Sequence, residues 1–447
     1  MTDTTHNVGS DYQPLTNEFN DGMFPVFDER DGLGLEVGKT FQATVTGVID
    51  GDTIDVEFAD GTTGEIRLLG IDTPETPKNV DYESVEEWEG IEDDNYLAKR
   101  GEVAADWATT ELDGKVIDVF FDSKEPVRDP FGRLLAYVRY DADDGGGSRD
   151  TLYNQEAVQQ GHARVYDSNM SKHDDFLMTE LDARANGRGV WQRSDPSNSS
   201  EFRDRDVSEV FVPNASSVRT STGTVADSRV PLFAAPTATQ DLNGGVSYST
   251  IPLAAVDEAV NTGLLGGLSI SEEHDADSAA YEQFTFVTNL LNYLGDGSGE
   301  VLIDGGHGQF GHDHSLSAED AVYYLRHLEG EGGVGFRGIN RIDSAGLSGA
   351  RALVVTPPTV PYTQSEVDAV STFCSNGGAL LLLGSSRTED LFDEPRSLLN
   401  DIAAGVGSDL RLNEDRVLDD TNNVNNDPAL LLTSNVNTAF PLFSKVS

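Results

Sequence analysis

Alternating apolar and polar positions dominate residues 41 to about 140. Phe41-Gln42-Ala43-Thr44-Val45-Thr46-Gly47-Val48-Ile49 is a β-rich run that turns at Asp50-Gly51 into Thr53-Ile54-Asp55-Val56-Glu57-Phe58. Asp-Gly between two such runs is a strong hairpin signal. A second turn at Asp60-Gly61 leads into a strand ending at Leu69, and residues 116–121 and 134–140 supply two more. Between the third and fourth strands the spacing becomes helical over about residues 97–112, with Ala104, Ala105, Ala108 and Leu112 on one face. Five strands with one helix in that place predict a small closed barrel of the OB type. Helices over about 153–160 and 173–184 follow, the second carrying Phe176, Leu177, Leu181 and Ala185 on a face expected to pack back on the barrel. Gly187-Arg188-Gly189-Val190-Trp191 then closes the module.

The rest of the chain reads differently. Residues 1–37 are polar and acidic without sustained periodicity, a flexible lead-in. Residues 193–229 have the Ser, Asp, Asn, Thr and Pro composition of a linker. Beyond it, Gly244-Gly245-Val246-Ser247-Tyr248-Ser249 reads as a turn and strand, and Phe284, Val287, Leu290, Leu291 and Leu294 mark an amphipathic helix. Short apolar runs at 301–304, 352–356 and 379–383 alternate with helices at about 318–328 and 364–375, the latter opened by the capping box Thr363…Glu366. Such alternation predicts a parallel α/β sheet, so the expected plan is lead-in, barrel domain (38–192), linker and an α/β domain over 230–447, incomplete at its C-terminus in one reading.

Composition adds a second function and a setting. At 447 residues the chain exceeds one barrel module of about 150 residues. Net charge is 30 minus 78, or -48, with only seven lysines, an unusual surface for a nucleic-acid binder. Adaptation to molar salt explains it, since charge repulsion is then screened within about 3 Å; repulsion of nucleic acid or capture of basic partners are the alternatives. The single Cys374 excludes an intramolecular disulfide framework. No run approaches the roughly 18 apolar residues of a membrane span. The start lacks a basic and an apolar signal region, so a cytoplasmic protein is expected, unless a truncated N-terminus hides an export signal.

The candidate chemistry sits in the barrel. Ile49-Asp50-Gly51-Asp52-Thr53, then Arg67-Leu68-Leu69-Gly70-Ile71-Asp72-Thr73-Pro74-Glu75-Thr76, supply carboxylates, an arginine and a further glutamate. Asp129-Pro130-Phe131-Gly132-Arg133 adds a second arginine before another apolar strand. Together these are the equipment for metal-assisted cleavage of a phosphodiester. The motifs resemble the thermonuclease, or staphylococcal nuclease-like, family over about residues 38–192. That resemblance implies Ca2+ held by Asp52, Asp72 and the main-chain carbonyl of Thr73, although hard oxygen donors suit Ca2+ and Mg2+ alike. It implies Glu75 as general base, Arg67 and Arg133 on the scissile phosphate, and products with a 3′-phosphate and a free 5′-hydroxyl.

Departures from the family pattern bear on substrate. Pro130 and Phe131 stand where the best-known form has lysine and tyrosine; Phe131 can stack on a base, and Tyr166 is a candidate second aromatic wall. Residues 81–94 hold eight acids and no lysine or arginine, either a solvated halophilic insert or a second cation site. The expected substrate is DNA or RNA, with flexible single strands favoured.

In the α/β region, Asp304-Gly305-Gly306-His307-Gly308-Gln309-Phe310-Gly311-His312-Asp313-His314 follows a buried strand, where ligands bind in open sheets. A metal site and a Gly-rich loop with solvent-exposed histidines are both readings of it; the spacing fits no standard zinc pattern. The alternation resembles the flavodoxin-like glutamine-amidotransferase superfamily, in particular its non-catalytic relatives. Cys374, placed near a helix end and not at a sharp strand-to-helix turn, argues against catalysis there and for an unidentified ligand or protein partner. The rival to a nuclease is a non-catalytic nucleic-acid- or protein-binding barrel with a ligand-sensing C-terminal domain.

Overall fold

Alternation along residues 54–58 puts Ile54, Val56 and Phe58 inside and leaves Asp55 and Glu57 at the surface, the two-residue period of a half-buried strand. A computed structural model describes residues 27–28, 35–79, 84–143, 147–197, 199–387 and 394–446. It divides into two units, Met1–Trp88 with Asp93–Ser194, and Glu89–Glu92 with Asp195–Ser447.

The first unit runs β1 (Thr40–Val48), β2 (Thr53–Phe58), β3 (Thr63–Leu68), β4 (Ile71–Asp72), α1 (Asp94–Leu112), β5 (Val116–Phe120), β6 (Leu134–Tyr140), β7 (Thr151–Leu152), α2 (Tyr153–Gln160), β8 (Arg164–Val165) and α3 (His173–Ala185). The spatial order β3-β2-β1-β5-β6-β7 closes on itself through a parallel pairing of β3 with β6. The result is the expected barrel of five principal strands with a helix between the third and fourth, and closure removes the exposed edges. Ile54, Val56, Ile66, Leu68, Ile117, Val119, Leu134 and Ala136 fill its interior, and Ala157 and Phe176 extend the same core to α2 and α3. A register shift between Val45 and Gly47 bends β1 against β2.

Three expectations for this unit change. The helix begins at Asp94, not near Leu97, because the Asp93 side chain accepts the Tyr96 amide hydrogen at 3.0 Å and caps it. Residues 1–26 and 29–34 of the lead-in lie outside the described residues, whereas Leu35 is buried in the barrel core. Of the acidic segment, residues 81–83 lie outside the described residues; Val85–Glu87 forms a 3-10 turn that delivers buried Trp88 against Trp191, ring centroids 5.7 Å apart.

The second unit has a seven-stranded sheet in the spatial order Leu232–Phe233, Pro252–Asp257, Thr262–Leu265, Ala379–Leu383, Ala352–Val355, Val301–Asp304, Phe336–Ile339. The last five are parallel and the first two join antiparallel, so the sheet is mixed where an all-parallel one was expected. Helices Gln283–Leu294 and Gln364–Ser375 form as read, the latter with both halves of the Thr363–Glu366 capping box. The stretch expected to be linker contributes strands Val210–Pro213 and Val218–Thr220; Val210, Phe211 and Val212 are buried, and the first strand pairs with Leu430–Thr433. Residues 244–249 form no strand, because the Val246 amide goes to the Asn413 side chain and the Tyr248 amide to that of Gln240. Among the described residues no helix is long and apolar enough to cross a membrane.

The loop after Val301–Asp304 is also not as expected. His307 and His314 are buried and only His312 is exposed. Buried Asp304 accepts hydrogen bonds from Tyr362 Oη at 2.6 Å and Gln309 Nε2 at 2.7 Å, and lies 2.9 Å from His307 Nδ1. A carboxylate ending the strand next to the sheet edge gathers these side chains, which draws His307 inward.

Candidate active site

Antiparallel pairing sets Thr53 opposite Arg67, and the Leu68 amide donates to the Asp52 carbonyl at 2.8 Å. Asp52 therefore sits beside the root of Arg67, whose guanidinium spans two carboxylates: Nη1 is 3.0 Å from Asp52 Oδ1, and Nη2 donates to Asp72 Oδ1 at 2.9 Å. Nη1 also donates to the Ile71 carbonyl at 2.7 Å. The Thr73 amide and hydroxyl donate to Asp52 Oδ2 at 2.8 and 2.9 Å, pinning the residue after Asp72 to the first hairpin. Gly51 makes this approach fit, since a Cβ there would lie 2.7 Å from Thr73 Cγ2 and 2.9 Å from Ala104 Cβ.

Glu75 follows on the same loop, half-buried. Burial first, then Asp72 and Asp52, push its carboxyl above its ordinary value, while Asn79 and Arg67 pull it back. A carboxylate raised in this way is a stronger base near neutral pH. Asp50 is affected more: burial and Asp52 push its carboxyl up to about 7. For Arg67, burial opposes the charged form, but Asp52, Asp72 and Asp50 outweigh it and hold the guanidinium charged, with Tyr166 adding to the same field.

The second arginine stands immediately before the neighbouring strand β6. Glu65 and Arg67 are on the outward side of β3, whose inward residues Ile66 and Leu68 are buried, and the parallel register sets Ile66 against Leu134 and Arg67 against Leu135. Arg133 thus falls on the same outward face, two residues down the strand, at a Cα separation from Arg67 of about 8 Å by strand geometry. Its Nε donates to Asp129 Oδ2 at 2.6 Å and its amide to Asp129 Oδ1 at 2.8 Å, with Glu65 Oε1 3.9 Å away. Glu65, Phe131, Gly132 and Arg133 line an open pocket of about 460 Å3. Phe131 is 85% exposed with Arg133 Cζ 5.5 Å from its ring. The Tyr166 amide donates to the Gly70 carbonyl at 3.2 Å.

The structure thus brings Asp52, Arg67, Asp72, Thr73 and Glu75 together and sets Arg133 and Phe131 in the turn that leads into the adjoining strand. Asp50 and Asp129 stand within the sequence motifs, but the family resemblance implies no role for them; Gly101 and Arg164, which also touch this region, carry no sequence signal of their own. Among the described residues no group of three or more His, Cys, Asp and Glu side chains is arranged to hold a metal ion. Two carboxylates and a main-chain carbonyl are donors of the kind a hard cation takes, with water completing its shell; Asp50 and Glu75 are pushed up by burial first and then by neighbouring carboxylates, whose negative charge such a cation would relieve.

Comparison with known proteins gives the same region. The model of the staphylococcal nuclease homologue family matches residues 65–193, which include Arg67, Asp72, Glu75 and Arg133. An uncharacterised protein of Methanocaldococcus jannaschii is 38% identical over 163 residues, 36% of this chain and 76% of that protein. Endonuclease YncB of Bacillus subtilis is 31% identical over 35% of this chain and 64% of its own length. A thermonuclease of Staphylococcus hyicus is 26% identical over 36% of this chain and 80% of its own. Through its N-terminal unit the chain belongs to the staphylococcal nuclease homologues, and it is a nuclease, a hydrolase acting on phosphodiester bonds.

Proposed function

We propose that the N-terminal unit cleaves DNA or RNA, preferentially single strands, in a Ca2+-dependent reaction leaving a 3′-phosphate and a 5′-hydroxyl. The observation that carries this reading is the Arg67 guanidinium bridging Asp52 and Asp72, with Glu75 three residues beyond on the same loop. Asp52, Asp72 and the Thr73 carbonyl would hold the ion, which supplies Lewis acidity toward the phosphate. Glu75 takes one proton from the attacking water as its oxygen bonds to phosphorus; the bond from phosphorus to the 5′-oxygen breaks, and that leaving oxygen takes a proton from water to become the 5′-hydroxyl. Arg67 and Arg133 hold the phosphoryl oxygens and stabilise the charge that develops on them. Phe131 and Tyr166 offer stacking surfaces to bases, which single strands present without the cost of unpairing. The acidic surface supports operation in concentrated salt, where bidentate arginine and metal contacts outlast contacts that depend on counterion release.

For the second unit we propose a non-catalytic α/β domain of the flavodoxin-like, amidotransferase-related kind that binds a ligand or partner. The run of parallel strands supports it, and so does Cys374, buried with its thiol pushed up to about 12, mainly by burial, which makes it a poor nucleophile.

The test is hydrolysis of fluorescent single-stranded DNA by the full chain in multimolar KCl, with Ca2+ and then with excess chelator, beside Glu75→Gln. Cleavage that needs Ca2+ and is lost in the variant is the expected result. Equal rates in wild type and Glu75→Gln would remove the general-base role, and absence of cleavage by folded protein under every metal and salt condition would favour a binding module.

A further inference from the structure

Arg164 has no part in the reaction described above, yet it is the direct cross-strand partner of Asp72 in the β4–β8 ladder. Its Nε lies 3.2 Å from Asp72 Oδ2, while its Nη2 binds the Glu87 carboxylate. Nη1 donates to the Val165 carbonyl at 3.3 Å. Only 6% of the residue is exposed, and its Cζ lies 5.9 Å from the ring centroids of both Trp88 and Tyr166. Burying a guanidinium costs solvation that its partners only partly return, so an apolar side chain would fill this space with less loss. What an arginine adds here is a charged, planar group that reaches two carboxylates at once, hydrogen-bonded to Glu87 and ion-paired with Asp72.

Asp72 consequently has a guanidinium on each side: Arg67 donates a hydrogen bond to Oδ1, and Arg164 Nε pairs with Oδ2 by charge at 3.2 Å, without hydrogen-bond geometry. Each carboxylate oxygen has two lone-pair directions, so this clamp orients the group while leaving it able to accept another partner. Partners behind a ligating carboxylate commonly set its orientation and its affinity for the ion. Glu87, from the 3-10 turn Val85–Glu87, grips the far end of the fork.

We propose that Arg164 is a positioning residue for Asp72, and that Glu87 of the acidic segment serves the site by holding Arg164. This rests on the role given to Asp72 under the proposed function. The experiment is calorimetric titration of the full chain with Ca2+ for wild type, Arg164→Gln, Glu87→Gln and the double variant, with circular dichroism to confirm folding. Arg164→Gln is expected to weaken Ca2+ binding about 10- to 100-fold. Glu87→Gln weakens it less, and the double variant is no weaker than Arg164→Gln. Unchanged or tighter binding by folded Arg164→Gln overturns the proposal, because a merely structural arginine would alter the melting temperature and not the affinity. Additive losses in the double variant overturn the part given to Glu87. If Arg164→Gln does not fold, Arg164→Lys carries the test: one ammonium cannot hold both carboxylates in the fork geometry, so affinity drops several-fold, and wild-type affinity overturns the idea. Should wild type itself bind no Ca2+, the proposed metal dependence fails, and melting temperatures of metal-free Arg164→Gln, Asp72→Asn and their double variant decide the clamp: non-additive shifts support it and additive shifts overturn it.

Discussion

Gly101 of α1 lies against the main chain of Glu75, where a Cβ at position 101 would come within 2.5 Å of the Glu75 carbonyl oxygen. Glycine inside a helix costs about 1 kcal/mol relative to alanine, so helix propensity here gives way to a close approach between the helix and the loop carrying the candidate base. Pro74 shares the contact, with its carbonyl oxygen 2.3 Å from the same point.

Gly101→Ala should therefore act against propensity. An alanine at an exposed helical position would stabilise the protein; at 101 it must push the Pro74–Glu75 backbone aside, and displacements near 1 Å can cost about 100-fold in rate. We expect kcat/KM to fall at least tenfold together with a lower melting temperature. A variant that melts higher and cleaves at the wild-type rate would show that the loop yields without moving Glu75.

Arg133 is tied to Asp129 and leaves 31% of its side chain exposed, so it contributes little to the core. Arg133→Ala should lower turnover about 10²- to 10³-fold, the usual loss when a group stabilising transition-state charge is removed. The melting temperature should change little. A drop confined to KM would instead assign Arg133 to ground-state binding.

Phe131, at 85% exposure, supports no packing that its removal would destroy. Stacking of a base on an aromatic ring is worth about 1–3 kcal/mol, so Phe131→Ala is expected to raise KM for single-stranded DNA by roughly 5- to 150-fold with kcat and stability nearly unchanged. Steady-state kinetics on short oligonucleotides measure this directly, and an unaltered KM would show that bases do not use this ring.

Glu125 provides a pH signature away from the reaction. It is 8% exposed, and burial, with Asp122 adding, pushes its carboxyl up to about 7 against the Ser168 hydrogen bond. The folded chain keeps this proton up to about pH 7, whereas the unfolded chain releases it near the ordinary value of 4.5. Stability from this group is therefore lost as pH rises from about 4.5 to 7, by up to about 3 kcal/mol. Glu125→Gln should match wild type in denaturant melts at pH 4 and exceed it at pH 8; equal midpoints at both would show that no proton is held there.

The sequence by itself determined the barrel strands, the Asp-Gly hairpin, the helices of 153–160 and 364–375, and the membership of Asp52, Arg67, Asp72 and Glu75 in one site. These are local properties: period-two alternation selects a strand, turn residues close a hairpin, and residues near one another along a hairpin stay near one another in space. Arg133 joined them only through the motif's order, with the β3–β6 register supplying the shared face. The tertiary structure alone set Arg164 opposite Asp72, found in Gly101 the space for Glu75, turned His307 and His314 inward, and drew Val210–Pro213 out of an apparent linker to pair with Leu430–Thr433. None of these has a periodic signature, because each depends on which distant surfaces meet. Burial and strand pairing are collective outcomes of closing the barrel and assembling the sheet, so a polar stretch can become a strand and a glycine a contact only once its partner's position is set.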